Sequence, residues 1–280
     1  MEKVCDLHVH SVFSDGTDTP KEILEKAKKL NIKAVALTDH NTTSGLYEFE
    51  KAGRELGVET ISGVEFSADY IDREVHIVAL FIKKESFDKI EEFLSILTKR
   101  KIESNLKLID GLKSIGMNID FESLVKNSLS GKINRANIGA ELVRLGYLSS
   151  VKEAFDTVLS KTYGFYIEPK RPSAEETIKF INSIGAVSIL AHPLINFSKE
   201  ELKPALSVMK NAGLKGIETN YSTFTLTEQE WLSSLANQMG LLNSGGSDYH
   251  GENKPDIELG IGKGNLIVPY GFLETLKENR

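Results

Sequence analysis

Short β-branched and apolar runs alternate with amphipathic stretches through the first third of the chain, the pattern of a parallel α/β sheet or barrel. Residues 4–7, 33–38, 58–64 and 75–82 read as strands. Between the first two, Thr19-Pro20-Lys21-Glu22 supplies an N-cap, a first-turn proline and a capping-box glutamate, and Ile23, Leu24, Ala27 and Leu30 then share one helical face. A second helix is predicted over 44–56, stopped by Gly57. From about residue 86 the strand signal ceases. Ile90, Phe93, Leu94, Leu97, Leu108 and Leu112 mark long charged helical segments up to Gly116, and helical patterns follow at 135–145, closed by Gly146, and at 151–159. The alternation resumes with a capping box from Ser173 to Glu176 and strands at 186–191, 215–219 and 241–244. Seven strands with a helical interruption predict one α/β, barrel-like domain (residues 1–98 and 166–280) with a small helical insertion (99–165), rather than two domains in series.

At 280 residues, with 40% hydrophobic and 26% charged residues, the chain has the composition of a folded protein, which excludes disordered and fibrous classes. A net charge of −6 excludes bulk electrostatic binding to nucleic acid and leaves room for local contacts. Cys5 is the single cysteine, so no intramolecular disulfide forms, and its apolar setting suits packing. The opening residues lack the apolar core of a signal peptide and no run of about 18 apolar residues occurs. The expectation is a cytoplasmic protein with no membrane partner and no stable protein partner implied.

Candidate chemistry gathers at strand ends, where barrel enzymes carry their active residues. Of the six histidines, His8, His10, His40, His192 and His250 follow candidate strands, whereas His76 falls early within its run, for which the sequence offers no reason. In Asp6-Leu7-His8-Val9-His10 the two imidazoles share a strand face and reach one ion. Asp15 in Ser14-Asp15-Gly16 suits a metal ligand or an Asx-turn equally. His40 closes the second strand as a candidate ligand, and Asp39 before it either caps the next turn or orients a histidine. Glu65 ends the third strand, where a carboxylate can bridge two ions. Leu190-Ala191-His192-Pro193 and Asp248-Tyr249-His250 complete the set. Imidazoles with carboxylates suit Mn, Zn or Fe better than Ca or Mg. Nine candidate ligands exceed what one tetrahedral ion takes, so two or three divalent ions are implied.

With these motifs in order, and with Val75-His76-Ile77, the chain resembles the PHP (polymerase and histidinol phosphatase) family, and within it the 3′,5′-nucleoside bisphosphate phosphatases and 5′-to-3′ exoribonucleases. The resemblance implies a distorted seven-stranded (βα)7, TIM-like barrel. It implies one ion on His8, His10, Glu65 and Asp248, a second on Glu65, His76 and His192, and a third on Asp15, His40 and His250. Asp15, His40, Glu65 and His250 then stand closest to the reaction. It also places Arg135, in Asn134-Arg135-Ala136-Asn137, where the insertion offers a cation to a substrate phosphate, although a solvated arginine opening a helix fits the same residues. Asn137 stands where relatives carry histidine, and Asp39 is a further candidate for substrate contact. The expected substrate is a small phosphorylated nucleotide, such as a 3′,5′-bisphosphate, or the 5′ end of a short RNA. The alternatives are a histidinol-phosphate-type phosphatase, an amidohydrolase-like enzyme, which generally adds a strand-end lysine not found here, and a metal-stabilised binding module without turnover.

Overall fold

The computed structural model describes residues 3–127, 133 and 135–280. It contains a seven-stranded sheet in the order β1 (Cys5–Val9), β2 (Ala34–Leu37), β3 (Glu59–Tyr70), β4 (Arg73–Leu80), β5 (Val187–Leu190), β6 (Gly216–Tyr221) and β7 (Leu242–Gly246). The chain beyond β7 returns to β1: the Asp248 amide donates to the His8 carbonyl at 2.8 Å and the His10 amide to the Tyr249 carbonyl at 2.9 Å, nearly closing a barrel.

The strands are not all parallel, as a regular βα alternation would require. β4 runs antiparallel to both β3 and β5, whereas β1, β2 and β3, and again β5, β6 and β7, run parallel. The cause is a tight hairpin: β3 extends to Tyr70, well past the expected end at 64, and Arg73 already begins β4. An antiparallel strand brings its first residues to the end where its neighbours finish. His76, early in β4, therefore stands at the rim that carries the other histidines, and its carbonyl accepts from the Ala191 amide beyond β5 at 3.0 Å.

Contacts divide the chain into two compact units, residues 1–91 with 172–280, and residues 92–171. In the first unit, α1 (Pro20–Lys29) and α2 (Leu46–Leu56) cover one face of the sheet. The two faces separate along β2: Val35 and Leu37 pack with Ile23, Leu24 and Phe49 of these helices, whereas Ala34 and Ala36 join Cys5, Leu7, Ile189 and the helical Leu273 and Leu276. Helix α1 starts as expected, with a complete capping box between Thr19 and Glu22, a feature that stabilises a helix by about 1 kcal/mol. Leu30, placed on its apolar face by spacing, is instead 46% exposed, because the helix has ended at Lys29. Gly57 closes α2 at φ +70°, a conformation glycine takes without steric cost.

The helix α3 (Phe87–Ser114) leads into α4 (Phe121–Asn127), α5 (Arg135–Arg144) and α6 (Val151–Asp156). Residues 92–171 have their own core, with Leu108, Ile109, Leu112, Ile138, Leu142 and Leu159 fully or almost fully buried. The first unit then continues with α7 (Ala174–Ser183), α8 (Pro193–Asn196), α9 (Lys199–Asn211), α10 (Leu226–Met239) and α11 (Tyr270–Glu278). Capping boxes open α7, α9 and α10. Among the described residues no helix is long and apolar enough to cross a membrane.

Candidate metal centre

Six histidines and three carboxylates, 242 residues apart at the extremes (250 − 8), meet at one rim of the sheet. Glu65 is their hub. Its backbone fixes the neighbouring segment, pairing with His40 in a parallel bridge and accepting from the Asn41 amide at 3.0 Å. One carboxylate oxygen, Oε2, lies 3.2 Å from Nε2 of His8, 3.2 Å from Nε2 of His10 and 3.1 Å from Nδ1 of His40. The other, Oε1, lies 2.9 Å from Nδ1 of His76 and 3.1 Å from Nε2 of His192. The two oxygens thus face two separate groups of imidazoles.

Asp248 completes the first group: its Oδ1 is 3.6 Å from His8 Nε2 and 3.2 Å from His10 Nε2. A third cluster joins Asp15 to His10 at 3.5 Å, to His40 at 3.8 Å and to His250 at 3.3 Å. Its solvent side is open, since the Asp15 side chain is 52% exposed while Glu65 is 1% exposed. All nine sequence-derived candidates therefore converge, and His10 and His40 each stand between two clusters.

The donors fit metal ions in number, type and spacing. Bonds of about 2.0–2.1 Å in tetrahedral geometry place neighbouring donor atoms about 3.3 Å apart, close to the separations here. Among the described residues the buried Nδ1 atoms of His40, His76 and His192 meet no hydrogen-bond partner; those of His40 and His76 approach Glu65 but outside hydrogen-bonding directions. Uncompensated buried imidazole nitrogens are costly unless something else binds their lone pairs. Backbone strain concentrates here too, with positive φ at Asn41 (50°), His192 (29°) and Asp248 (56°).

Opposite charges within the cluster set the protonation of its members. Burial pushes the Glu65 carboxyl up, but the surrounding His8, His76 and His40 outweigh it and hold the group well below the usual carboxylate range. Burial lowers His76 and His10, yet the Glu65 charge brings His76 up to about 10, and hydrogen bonds to Asp248 and Glu65 bring His10 up to about 9. His40, buried beside these cations, falls to about 4.

Behind the donors lies a layer of which the sequence reading singled out only Asp39. Glu218 in β6, 1% exposed, accepts from Nδ1 of His8 at 2.8 Å and from the His192 amide at 2.7 Å, fixing the tautomer that turns His8 Nε2 toward Glu65. A lone glutamate in an apolar strand run was its only sequence signal. Asp6, quoted there without a role, is fully buried and accepts from the Ser247 amide and hydroxyl and the Gly260 amide, tying β1 to the segment carrying Asp248. Tyr221 and Lys254 donate to Oδ2 of Asp248 at 2.7 and 2.6 Å, leaving Oδ1 toward His8 and His10. Asp39, 2% exposed, accepts from the amide and hydroxyl of Ser11 and from the Ser14 hydroxyl, whose oxygen is 3.4 Å from His10 Nδ1. Its side chain is engaged in holding this loop.

Within residues 92–171, the Arg135 guanidinium stacks 3.8 Å from the Tyr166 ring centroid and donates to the Leu159 carbonyl at 3.2 Å. Asn137 is half-buried on the same helix, and Asn134 lies outside the described residues.

A nearly closed seven-stranded α/β barrel whose rim gathers nine imidazole and carboxylate donors defines a metal-dependent phosphoesterase. The chain belongs to the PHP family: the PHP domain matches residues 6–171, more than half of its length. It is 30% identical over 251 residues to a 5′-3′ exoribonuclease of Haemophilus influenzae, covering 89% of this chain and 91% of that protein. It is also 30% identical to a phosphoribosyl 1,2-cyclic phosphate 1,2-diphosphodiesterase of Eggerthella lenta (88% and 94% covered). Identity is 27% to a 3′,5′-nucleoside bisphosphate phosphatase of Chromobacterium violaceum (90% and 90%). The crystal structure of a putative metal-dependent phosphoesterase from Bifidobacterium adolescentis superposes with a TM-score of 0.71 at 28% identity, covering 98% of this chain and 95% of the other.

Proposed function

We propose that this chain, in the cytoplasm, hydrolyses a phosphomonoester of a nucleotide, either a 3′,5′-nucleoside bisphosphate or the 5′ end of a short RNA, with two or three divalent ions of Mn, Zn or Fe. The observation that carries this reading is the division of imidazoles between the two oxygens of Glu65, which suits a carboxylate shared by neighbouring ions. His8, His10, Glu65 and Asp248 would hold one ion, Glu65, His76 and His192 a second, and Asp15, His40 and His250 a third. Ions held there supply Lewis acidity toward the phosphoryl group and activate water.

The chain's own residues prepare that chemistry. Glu218 retains the proton on His8 Nδ1, and Tyr221 with Lys254 fixes the rotation of Asp248. Asp15, His40 and His250 form the cluster with an open side, where a substrate phosphate arrives first. Asp39 positions the loop between His10 and Asp15 through Ser11 and Ser14. The barrel domain (residues 1–98 and 166–280) would carry the metal centre, and the insertion (99–165) would carry the candidate phosphate-binding residues Arg135 and Asn137.

Phosphate release by protein reconstituted with Mn or Zn tests this reading, with a 3′,5′-nucleoside bisphosphate, a 5′-phosphorylated short RNA, a phosphoribosyl cyclic phosphate and histidinol phosphate as substrates. Turnover of either nucleotide substrate that disappears in His8→Ala supports it. Turnover of the cyclic ester or of histidinol phosphate alone moves the substrate elsewhere, and inactivity toward all four with metal bound favours a binding module.

A further inference from the structure

The third cluster is held differently from the two that share Glu65. His8, Glu65 and His76 stand on strands, and buried Glu218 braces His8 and the His192 amide from behind. Asp15 stands instead on the loop between β1 and α1, and with its side chain 52% exposed, burial does not fix it. Its place depends on what holds that loop. Asp39 grips the first half through Ser11 and Ser14. The second half is stitched to the segment that carries His250: the Thr17 amide donates to the His250 carbonyl at 3.2 Å, the Glu252 amide to the Thr17 hydroxyl at 2.9 Å, and the Asn253 side chain to the Asp15 carbonyl at 2.7 Å.

A buried side chain fastens this seam. Tyr249, between Asp248 and His250, is 6% exposed and packs its ring in the core with Val9, Ile23 and Leu24. Its hydroxyl donates to Oδ2 of Asp18 at 2.5 Å and accepts from Nζ of Lys26 at 2.8 Å, while Lys26 donates to the same Asp18 oxygen at 2.6 Å. Asp18 in turn closes the loop, its carbonyl accepting from the Val12 amide at 2.9 Å. Hydrogen bonds with an ionised partner are roughly twice as strong as neutral ones, so the phenol is a firm tie between α1, the far end of the Asp15 loop and the His250 segment. We infer that Tyr249, held by Asp18 and Lys26, is a positioning residue for the third ion: it keeps Asp15 at 3.3 Å from His250 while touching neither donor atom. Without its hydroxyl the backbone of Tyr249 stays paired, since its carbonyl still accepts from the His10 amide and the residue still bridges to Val9, so Asp248 and the clusters around Glu65 keep their places. Only the Asp15 loop loosens. The inference rests on the three-ion reading above and adds the residues that govern one ion separately from the others.

Titration of metal-stripped protein with Mn(II), the free ion followed by its electron paramagnetic resonance signal, gives the number of ions per chain and the affinity of each. Asp15→Ala marks the ion that belongs to the third cluster. In Tyr249→Phe that same ion should bind about tenfold more weakly, the low end for partners that orient a ligand, with the other ions within about twofold of the parent. Lys26→Met, at a position 45% exposed, should weaken the same ion by less, and it decides the matter if Tyr249→Phe does not fold. A merely structural role would weaken all ions together with Tm, so the selectivity for one ion separates the two. Equal weakening of every ion, or unchanged affinities in both variants, overturns the inference and leaves the three-ion reading standing. A parent chain that binds no ion sensitive to Asp15→Ala overturns both.

Discussion

Replacing Glu218 by glutamine changes no candidate ligand and nearly preserves volume, so it isolates the layer behind the metal cage. The carboxylate accepts at both oxygens, from His8 Nδ1 at 2.8 Å and from the His192 amide at 2.7 Å. An amide offers one accepting oxygen and one NH2 donor. Whichever way it turns, one of the two N–H groups meets a donor in a site that is 1% exposed. If His8 loses its partner, its tautomer is no longer fixed, and Nε2 ceases to be reliably a lone pair facing Glu65. Outer partners of this kind carry about 10- to 100-fold in metal affinity, or about 1.4–2.7 kcal/mol. One buried group left unpaired costs about 1–3 kcal/mol of stability, a drop of roughly 3–10 °C in Tm for a domain near this size. Competition with a chelator reads the first quantity, and melting of metal-free protein the second. Ion affinity within threefold of the parent, with an unchanged Tm, would refute the role given to Glu218.

Four other outcomes follow from the same geometry. His10 and His76, raised to about 9 and about 10 from an ordinary 6.5, and His8, held well above it against burial by Glu218 and Glu65, carry protons at pH 7.5 in the metal-free protein, so ion uptake there should release about three protons per chain, fewer as pH approaches 10. The stability that His10 and His76 give the metal-free fold is present below pH 6.5 and lost as pH rises through 9 to 10, which pH-dependent urea titrations would detect. Asp6→Asn removes an acceptor from a fully buried carboxylate serving Ser247 and Gly260, and should lower stability by about 2–4 kcal/mol, read from the urea midpoint at constant m. Gly246→Ala would set a Cβ against the backbone N and Cβ of His8, with no flexible side-chain tip to yield; it should cost about 3 kcal/mol or more and depress ion content in parallel, as measured by emission spectrometry.

The seven strands and the cage were legible in the sequence because their signals are local. Short apolar and β-branched runs, Thr19-to-Glu22 capping and strand-end histidines each lie within a few residues. His76 resisted explanation because strand direction is settled by pairing: only the hairpin between Tyr70 and Arg73 reverses β4 and carries its start to the rim. Glu218 went unnoticed for a related reason. A single carboxylate in a strand looks the same whether it is solvated or buried under two N–H donors, and only contact with His8 and His192 separates the cases. Leu30 shows the opposite error, a correct spacing extended one residue past the end of its helix.

Closure between β1 and the segment after β7 also sets the moment at which the centre comes into being. Asp6 holds Ser247 across 241 positions of sequence, and Asp248 and His250 follow at once. A ribosome making this chain releases His8, His10, Asp15, His40 and Glu65 long before their last partners have been translated. The full cage therefore exists only once the chain has been made through His250, and a product terminated before β7 can present most of the imidazoles without assembling the centre.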